Sequence, residues 1–344
     1  MLCLMSPESR VPRDHPLRAI GQLADEALSA LADDFDAMYA ESGRPSVPPE
    51  RLLKSSLLIA LYSVRSERQL CEQLEYKLLF RWFLDMDMLE PALDASTFSK
   101  NRERLMEHDV AAGFFFAIRA EASDLMSREH FSVDGTMLEA WASMKSFRPK
   151  DDEAGDNNGW GDFRGRRRSN ETHESKTDPQ ARLLRKGRGR EAKLCLLGHA
   201  LMENRHGLLV DLRVSEANGY AERELALEML SEHVDRRATV GADRGYDTRD
   251  FVARCRQLEV TPHVVKYEHA RRRSAIDGRT TRHEGYALSL HIRMQIERIF
   301  GWVKSVGGLR RTRFRGRRKT QFAAYLVGAA YNLLRVARLR RCAQ

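Results

Sequence analysis

The stretch ATVGADRGYDTRDFVARCRQLEVTPHVVK, residues 238–266, decides the fold. ATVGAD is short, apolar and free of helical periodicity, which reads as a strand. A helix is expected from Asp247 to Leu258, and TPHVVK after it reads as a second strand. Asp243 closes the first strand and runs directly into Arg244-Gly245-Tyr246. A carboxylate there projects beyond the strand end with no bulky neighbour to block it.

Upstream, KLCLLGHALMEN and LLVDLRVSEA flank Arg205-His206-Gly207, a β-hairpin signal. Ala221 to Val234 is an amphipathic helix. HFSVDGTML alternates apolar and polar residues and reads as a further strand, with Asp134 at its end before Gly135. Downstream, past an Arg-rich loop, a helix is expected from Tyr286 to Ser305, stopped by Gly307-Gly308. A last helix, Ala323 to Arg338, has an apolar face. The resulting order, β-β-β-α-β-α-β-α, with three antiparallel strands before helix and strand alternate, is the order of the ribonuclease-H-like fold.

Residues 1–127 read instead as an all-α module of five to seven helices. One runs from Leu17 to Tyr39, and an apolar one from Glu50 to Ser63 follows the break SGRPSVPP. Pro48 and Pro49 suit the first turn of that second helix. Ser66 and Gln69 form a capping box. Asp94-Ala95-Ser96 precedes the basic helix STFSKNRERL, and a final helix spans Val110 to Met126. Two short helices followed by STFSKNRERL match a helix-turn-helix reader, with Ser99, Lys100, Asn101, Arg102 and Arg104 facing DNA. The bland alternative is the solvent face of a bundle helix. The expected domains are 1–127, the helical DNA-binding module, and 128–344, the mixed-sheet domain. The second carries a polar, basic insertion at about 145–190, read as a mobile or binding loop, and a basic C-terminal extension.

The chain has 344 residues, with 58 Lys+Arg against 49 Asp+Glu. The excess is concentrated: Arg293 to Arg341 holds 14 basic residues and one acid, Glu297, while Trp160 to Leu194 holds 11 against five. Clustered Arg and Lys are the footprint of a polyanion partner, nucleic acid first. No run has the 18 or so apolar residues of a membrane span. MLCLMSPESR lacks the pattern of a secretory signal, so a cytoplasmic, nucleoid-associated protein is expected. Five scattered cysteines without a C-x-x-C pair disfavour disulfides and thiolate zinc. There is no G-x-S-x-G elbow and no Walker loop, so neither a serine hydrolase nor a nucleotide cofactor is expected.

The third acid is Glu297. On a continuous helix Ile292, Ile296, Ile299 and Val303, spaced by four, three and four, share one apolar face. Arg293, Glu297 and Lys304, spaced by four and seven, form a polar stripe beside it. A plain ion pair between Arg293 and Glu297 is the alternative use of this spacing. Two strand-end aspartates and a helix glutamate suit hard divalent ions, Mg²⁺ with Mn²⁺ as a substitute, and two such ions suit phosphodiester cleavage.

These motifs together resemble the bacterial DDE transposases of insertion sequence family five. The likeness runs nearly end to end. GRPSVPPERLLKSSLLIALYSVRSERQLCEQLEYKLLFRWF (43–83) is similar to the family's helical module. FSVDGT (131–136) and VGADRGYDT (240–248) are similar to its first two catalytic motifs. Arg293, Glu297 and Lys304 match the core of the third, and FGWVKSVGGLRRTRFRG (300–316) its extension. Leu290 stands where the family usually has a tyrosine, and Tyr286 is the nearest tyrosine upstream. The resemblance implies that Asp134, Asp243 and Glu297 are catalytic and bind the metals, and that Arg293 and Lys304 contact DNA at the element's end. It implies a transposase that binds terminal inverted repeats, cleaves, and joins 3′-hydroxyl ends to target DNA as a homodimer on double-stranded DNA. A nuclease or resolvase that cuts without rejoining, and a DNA-binding regulator without catalysis, are the rival readings.

Arg310, Arg311, Arg313, Arg315, Arg317, Arg318 and Lys319 are expected to carry nonspecific DNA affinity. Each neutralised phosphate contributes about −0.9 to the log–log salt slope on duplex DNA. Replacing Arg313, Arg315, Arg317 and Arg318 by Ala should flatten that slope by roughly two to four units, read by filter binding across a salt series. An unchanged slope reduces the run to a solvated tail.

Overall fold

The computed structural model describes residues 6–38, 47–150, 168–187, 189–267 and 273–342. The chain divides into two units. One comprises Met1–Met126, Ser305–Gly308 and Phe322–Gln344; the other comprises Ser127–Lys304 and Leu309–Gln321.

The first unit is helical: α1 (Pro7–Arg10), α2 (Pro16–Ser29), α3 (Ala32–Met38), α4 (Pro49–Leu61), α5 (Glu67–Tyr76), α6 (Leu78–Phe83), α7 (Ala95–Glu107) and α8 (Val110–Glu121). The helix expected from Leu17 to Tyr39 is two helices, and Tyr39 lies outside the described residues. At the junction the Leu31 N–H bonds Leu28 O, three residues back, which resets the helical phase and buries both Leu31 and Phe35. Pro49 does open α4, whose Leu52, Leu53, Leu57 and Leu58 are all buried. Ser66 caps α5 by accepting from the Gln69 N–H, while Gln69 Oε1 accepts from the Arg65 N–H. The last helix stops at Glu121 and is followed by a single 3₁₀ turn, Ser123–Leu125.

In the second unit β1 (His130–Glu139) is followed by β2 (Phe147–Pro149), β3 (His173–Ser175), β4 (Arg182–Leu184), β5 (Lys193–Glu203) and β6 (Leu209–Glu216). Then come α9 (Ala221–His233), β7 (Ala238–Ala242), α10 (Arg249–Gln257), β8 (Val260–Val264), α11 (Gly278–Thr281), α12 (Glu284–Arg293) and α13 (Ile296–Ser305). α14 (Arg317–Cys342) is longer at both ends than the helix expected from Ala323 to Arg338. β5 lies antiparallel between β1 on one side and β6 and β4 on the other; β7 is parallel to β1, and β8 parallel to β7. The five long strands therefore run β6-β5-β1-β7-β8 in a mixed sheet, the arrangement expected from the strand order. β5 is buried from Leu194 to Glu203, with no alternation, because both its faces are covered.

The insertion at 145–190 is not structureless where it is described. β2 pairs with β3, and β4 extends the edge of β5. Phe147, Ala181 and Leu194 form a small core there with Ala140 and Ala142. Residues 151–167 and 188 of this segment lie outside the described residues. No helix among the described residues is long and apolar enough to cross a membrane. Cys71, Cys195, Cys255 and Cys342 are free thiols.

The β5–β6 hairpin turns on Glu203, which is fully buried. Its Oε1 accepts from the N–H groups of His206 and Leu208, and its Oε2 from those of Arg205 and Ser127. One carboxylate thus satisfies four donors that no strand partner reaches. Glu203→Ala would leave those amides unpaired, at about 1–3 kcal/mol for each one that stays dry. The expected outcome is a loss of about 3 kcal/mol or more in urea unfolding, with Glu203→Gln in between.

Candidate active site

β1 and β7 are paired over three residues only, His130–Thr239, Phe131–Val240 and Ser132–Gly241. Counted on from that register, Asp134 corresponds to Asp243, the residue that follows β7, while the pairing itself stops at Ser132–Gly241, two residues before each aspartate. Beyond this level β7 ends, and the same edge of β1 is taken up again only at Glu139, whose N–H bonds Arg310 O and whose carbonyl accepts from the Thr312 N–H. Between these contacts, from Val133 to Leu138, that edge of β1 has no strand partner among the described residues, and Asp134 lies on this unpaired stretch.

Each aspartate is held by a backbone amide. Asp134 Oδ1 accepts from the Gly135 N–H at 2.8 Å, and Asp243 Oδ1 from the Gly245 N–H at 2.7 Å, capping the turn Arg244–Tyr246. Among the described residues the Oδ2 atoms make no hydrogen bond. Burial, helped by the negative charges of Asp243 and Glu297, pushes the Asp134 carboxyl up to about 7, against the pull of Arg293. Asp134 thus feels the charges of Asp243, Glu297 and Arg293. The ligand atoms of the three acids are not gathered within 4.8 Å; the only His, Cys, Asp and Glu side chains among the described residues that are so gathered are Asp211, Glu232 and His233. That trio is an ion-pair network: Arg213 binds Asp211 at 2.8 Å and both oxygens of Glu232, and His233 Nε2 lies 2.9 Å from Asp211. An arginine in the middle leaves no place for a cation.

Glu297 does not stand on one continuous helix with Arg293. The helix expected from Tyr286 to Ser305 is broken at Met294–Gln295, where the N–H groups of Met294, Gln295, Glu297 and Arg298 bond three residues back instead of four. The tighter turn separates the two side chains, and no ion pair joins them. Glu297 is exposed, while Ile296, Ile299, Phe300 and Val303 are buried. Arg293 is half-buried, and its Nε has no hydrogen-bond partner. α12 can approach this closely because residue 241 is glycine: a Cβ there would lie 3.3 Å from Ser289 O and 3.4 Å from Arg293 Cβ. Lys304 is half-buried on α13, its ammonium pulled down by burial and by Lys186 and Arg310, and raised by Glu297.

The other basic residues are placed variously. Arg310, Arg313, Arg315, Arg317 and Arg318 are exposed and Lys319 is half-buried. Arg311 bonds Ala140 O and Trp141 O, so its guanidinium ties down the end of β1. In α7, Ser99, Lys100 and Arg104 are exposed. Asn101 is buried and donates to Thr97 O, so it cannot reach a base, and Arg102 is paired with Glu67 of α5 at 2.8 Å.

Two residues at the site carried no signal in the sequence reading. Asp247, in the second acidic motif, is buried and accepts from the Tyr267 and Ala275 N–H groups, fastening the loop after β8. Glu222 of α9 lies against Gly135 and feels the charge of Asp243. Tyr286 donates to Val264 O, and Tyr246 is fully buried, its hydroxyl pushed up by burial and by the charges of Glu222, Asp134 and Asp243. A separate cleft of about 1030 Å³, lined by His130, Arg205, Arg237 and His263 among others, opens at the opposite end of the parallel strands.

Residues 5–104 match the family model described as a transposase domain (DUF772), and residues 163–333 match the transposase DDE domain. Asp243 and Glu297 fall inside the second match, and Asp134 between the two. No curated protein matches the chain. Among solved structures it is similar to a piggyBac transposase synaptic complex with hairpin DNA, at 8% identity over 97% of this chain and 78% of that one, with a TM-score of 0.44. It is also similar to a Mos1 transposase paired-end complex with the left transposon end, at 10% identity over 68% and 65%, with a TM-score of 0.20.

Between about pH 4 and pH 7 folded Asp134 keeps a proton that the unfolded chain has lost, so the group destabilises the fold increasingly as pH rises through that window. Asp134→Asn cannot ionise. In metal-free buffer it should be more stable than wild type by ~2–4 kcal/mol near pH 8, converging toward wild type near pH 4, as measured by urea unfolding.

Proposed function

From the transposase domains the chain carries, we propose that it is a metal-dependent DNA transposase of insertion sequence family five. It binds the terminal inverted repeats of an insertion element, cleaves there, and joins the exposed 3′-hydroxyl to target DNA. The observation that supports the reading is the register of β1 and β7, whose pairing ends two residues before both Asp134 and Asp243, together with the charge of Glu297 felt at Asp134. All the donors are carboxylate oxygens, and each aspartate has one oxygen pinned and one turned free. That set fits a hard divalent ion, Mg²⁺ or Mn²⁺. Two such ions, when bound, supply activation of the attacking oxygen and stabilisation of the leaving one.

The chain's own part is positional. Asp134, Asp243 and Glu297 repel one another without a cation, so the site attracts positive charge before DNA arrives. Arg293, with an unpartnered buried Nε, and Lys304, on the same helix as Glu297, are placed to hold phosphates against the carboxylates. The exposed arginines from Arg310 to Arg318 extend this basic path, and Lys100 and Arg104 of α7 offer a second contact. Action at two element ends calls for two sites, hence a homodimer on DNA.

Asp134→Asn, Asp243→Asn and Glu297→Gln are each expected to abolish cleavage and keep binding to terminal DNA, because an amide is a poor ligand for Mg²⁺. The assay is strand transfer of labelled end DNA with Mg²⁺. Hydrolysed ends without joined product would mark a nuclease or resolvase. Binding without cleavage by the wild-type chain would mark a regulator. Cleavage at full rate by Glu297→Gln would remove it from the site and turn attention to Glu284.

A further inference from the structure

The last turns of α14 lie beside the start of α2, and both belong to the helical unit. Between them runs a groove of about 620 Å³. Ile20 of α2 and Leu334 of α14 give it an apolar wall. Arg13 and Arg18 line it from one segment, and Arg338, Arg340 and Arg341 from another far away in sequence. Asp14 is the one acid among the lining residues. No local run of charge marks this place, because the packing of two helices assembles it.

Two of the five arginines hold the fold together. Arg18 pairs with Glu8 at 2.7 Å and donates to Val11 O, while Arg340 donates to Glu121 O and lies 3.8 Å from Asp124. The other three have no such part: Arg13, Arg338 and Arg341 are exposed, and their side chains make no hydrogen bond or ion pair with any described residue. The dipole of α14 favours cations in its last turn, which accounts for Arg341. It does not account for Arg13. That residue comes just before α2, at a helix end where negative charge is favoured and where the first turn holds no acid. Like charges gathered from separate elements work against the fold, and a polyanion laid along the groove offsets their repulsion.

We infer that the groove between α2 and α14 binds the DNA backbone, with Arg13, Arg338 and Arg341 each neutralising a phosphate. The inference rests on the transposase reading, which supplies the polyanion. Guanidinium forks match phosphate oxygens two at a time, and contacts to phosphate carry no sequence information. The helical unit thereby gains a DNA contact apart from α7, one that holds whatever the base sequence.

The test uses the full-length chain and a duplex of random sequence, with dissociation constants measured across a salt series. Arg13→Ala, Arg338→Ala and Arg341→Ala together should flatten the log–log slope by about two to three units, and each alone by about one. Arg13→Lys, Arg338→Lys and Arg341→Lys together should keep the slope, since it counts charges. The control triple Arg236→Ala, Arg254→Ala and Arg256→Ala makes the same change in net charge. It removes arginines already paired with Asp235, Asp250 and Asp277, and should leave the slope as it is. Circular dichroism melts establish that each variant is folded, and the single variants decide the question if the alanine triple does not fold. If the wild-type slope is steep and the alanine variants keep it, the groove holds no DNA and the inference falls alone. A kept slope with a changed sedimentation coefficient would make the groove a contact with a second copy of the chain. Equal flattening by the control triple would mark a diffuse effect of charge and overturn the inference too. If the wild-type chain shows no salt-dependent binding at all, the transposase reading falls with it.

Discussion

The short parallel pairing of β1 with β7 is what the rest of the site depends on. Three residue pairs set the register, and the two strands then separate. Parallel register is rigid in a sheet that is covered on both faces, because a slip of one residue would turn every side chain to the opposite face. Asp134 and Asp243 each follow the last pair by two residues. The edge of β1 that β7 leaves unpaired is taken up again at Glu139 by Arg310–Thr312.

Around Asp134 the fold brings an excess of negative charge. Asp134 is buried enough that its carboxyl resists ionisation, and Glu222 and Tyr246 are likewise pushed up by burial and by neighbouring acids. A domain does not accumulate such strain for stability, since each buried like charge works against folding. Conflicts of this kind are tolerated at functional sites. The contrast within the same unit is Glu203, more deeply buried but satisfied by four backbone amides, and Asp211, enclosed by Arg213 and His233. Asp134 and Asp243 each keep one oxygen without a hydrogen bond among the described residues.

The break at Met294–Gln295 gives Glu297 a different neighbourhood from the one a straight helix would provide. Four i→i−3 bonds carry Arg293 and Glu297 out of the ion-pair geometry that their spacing favours. Arg293 ends α12, its charge felt at Asp134, while Glu297 and Lys304 share α13. Gly241 and Gly135 have matching roles on the strands: one admits α12, the other admits Glu222. Both functional glycines are packing requirements set by elements far away in sequence.

The sequence by itself determined the element types and their order, because alternation in HFSVDGTML, the hairpin signal around Arg205–Gly207 and the strand–helix–strand pattern of 238–266 are local properties of side-chain spacing. It also singled out the two strand-end aspartates and the lone acid of the basic C-terminal region. Tertiary structure decided what periodicity cannot encode. The helix at Leu17–Tyr39 and that at Tyr286–Ser305 are each interrupted by a 3₁₀-type turn that leaves no Gly or Pro as a marker. Asn101 has a polar side chain yet is buried, since its amide finds the Thr97 carbonyl within its own helix. Part of the basic insertion became strand by pairing with distant partners. Glu222 was indistinguishable in sequence from its neighbour Glu224, two acids in one helical turn. The packing of α9 on β1 half-buries the first against Gly135 and leaves the second exposed, because a carboxylate's chemistry is set by what surrounds it, and those surroundings come from other parts of the chain.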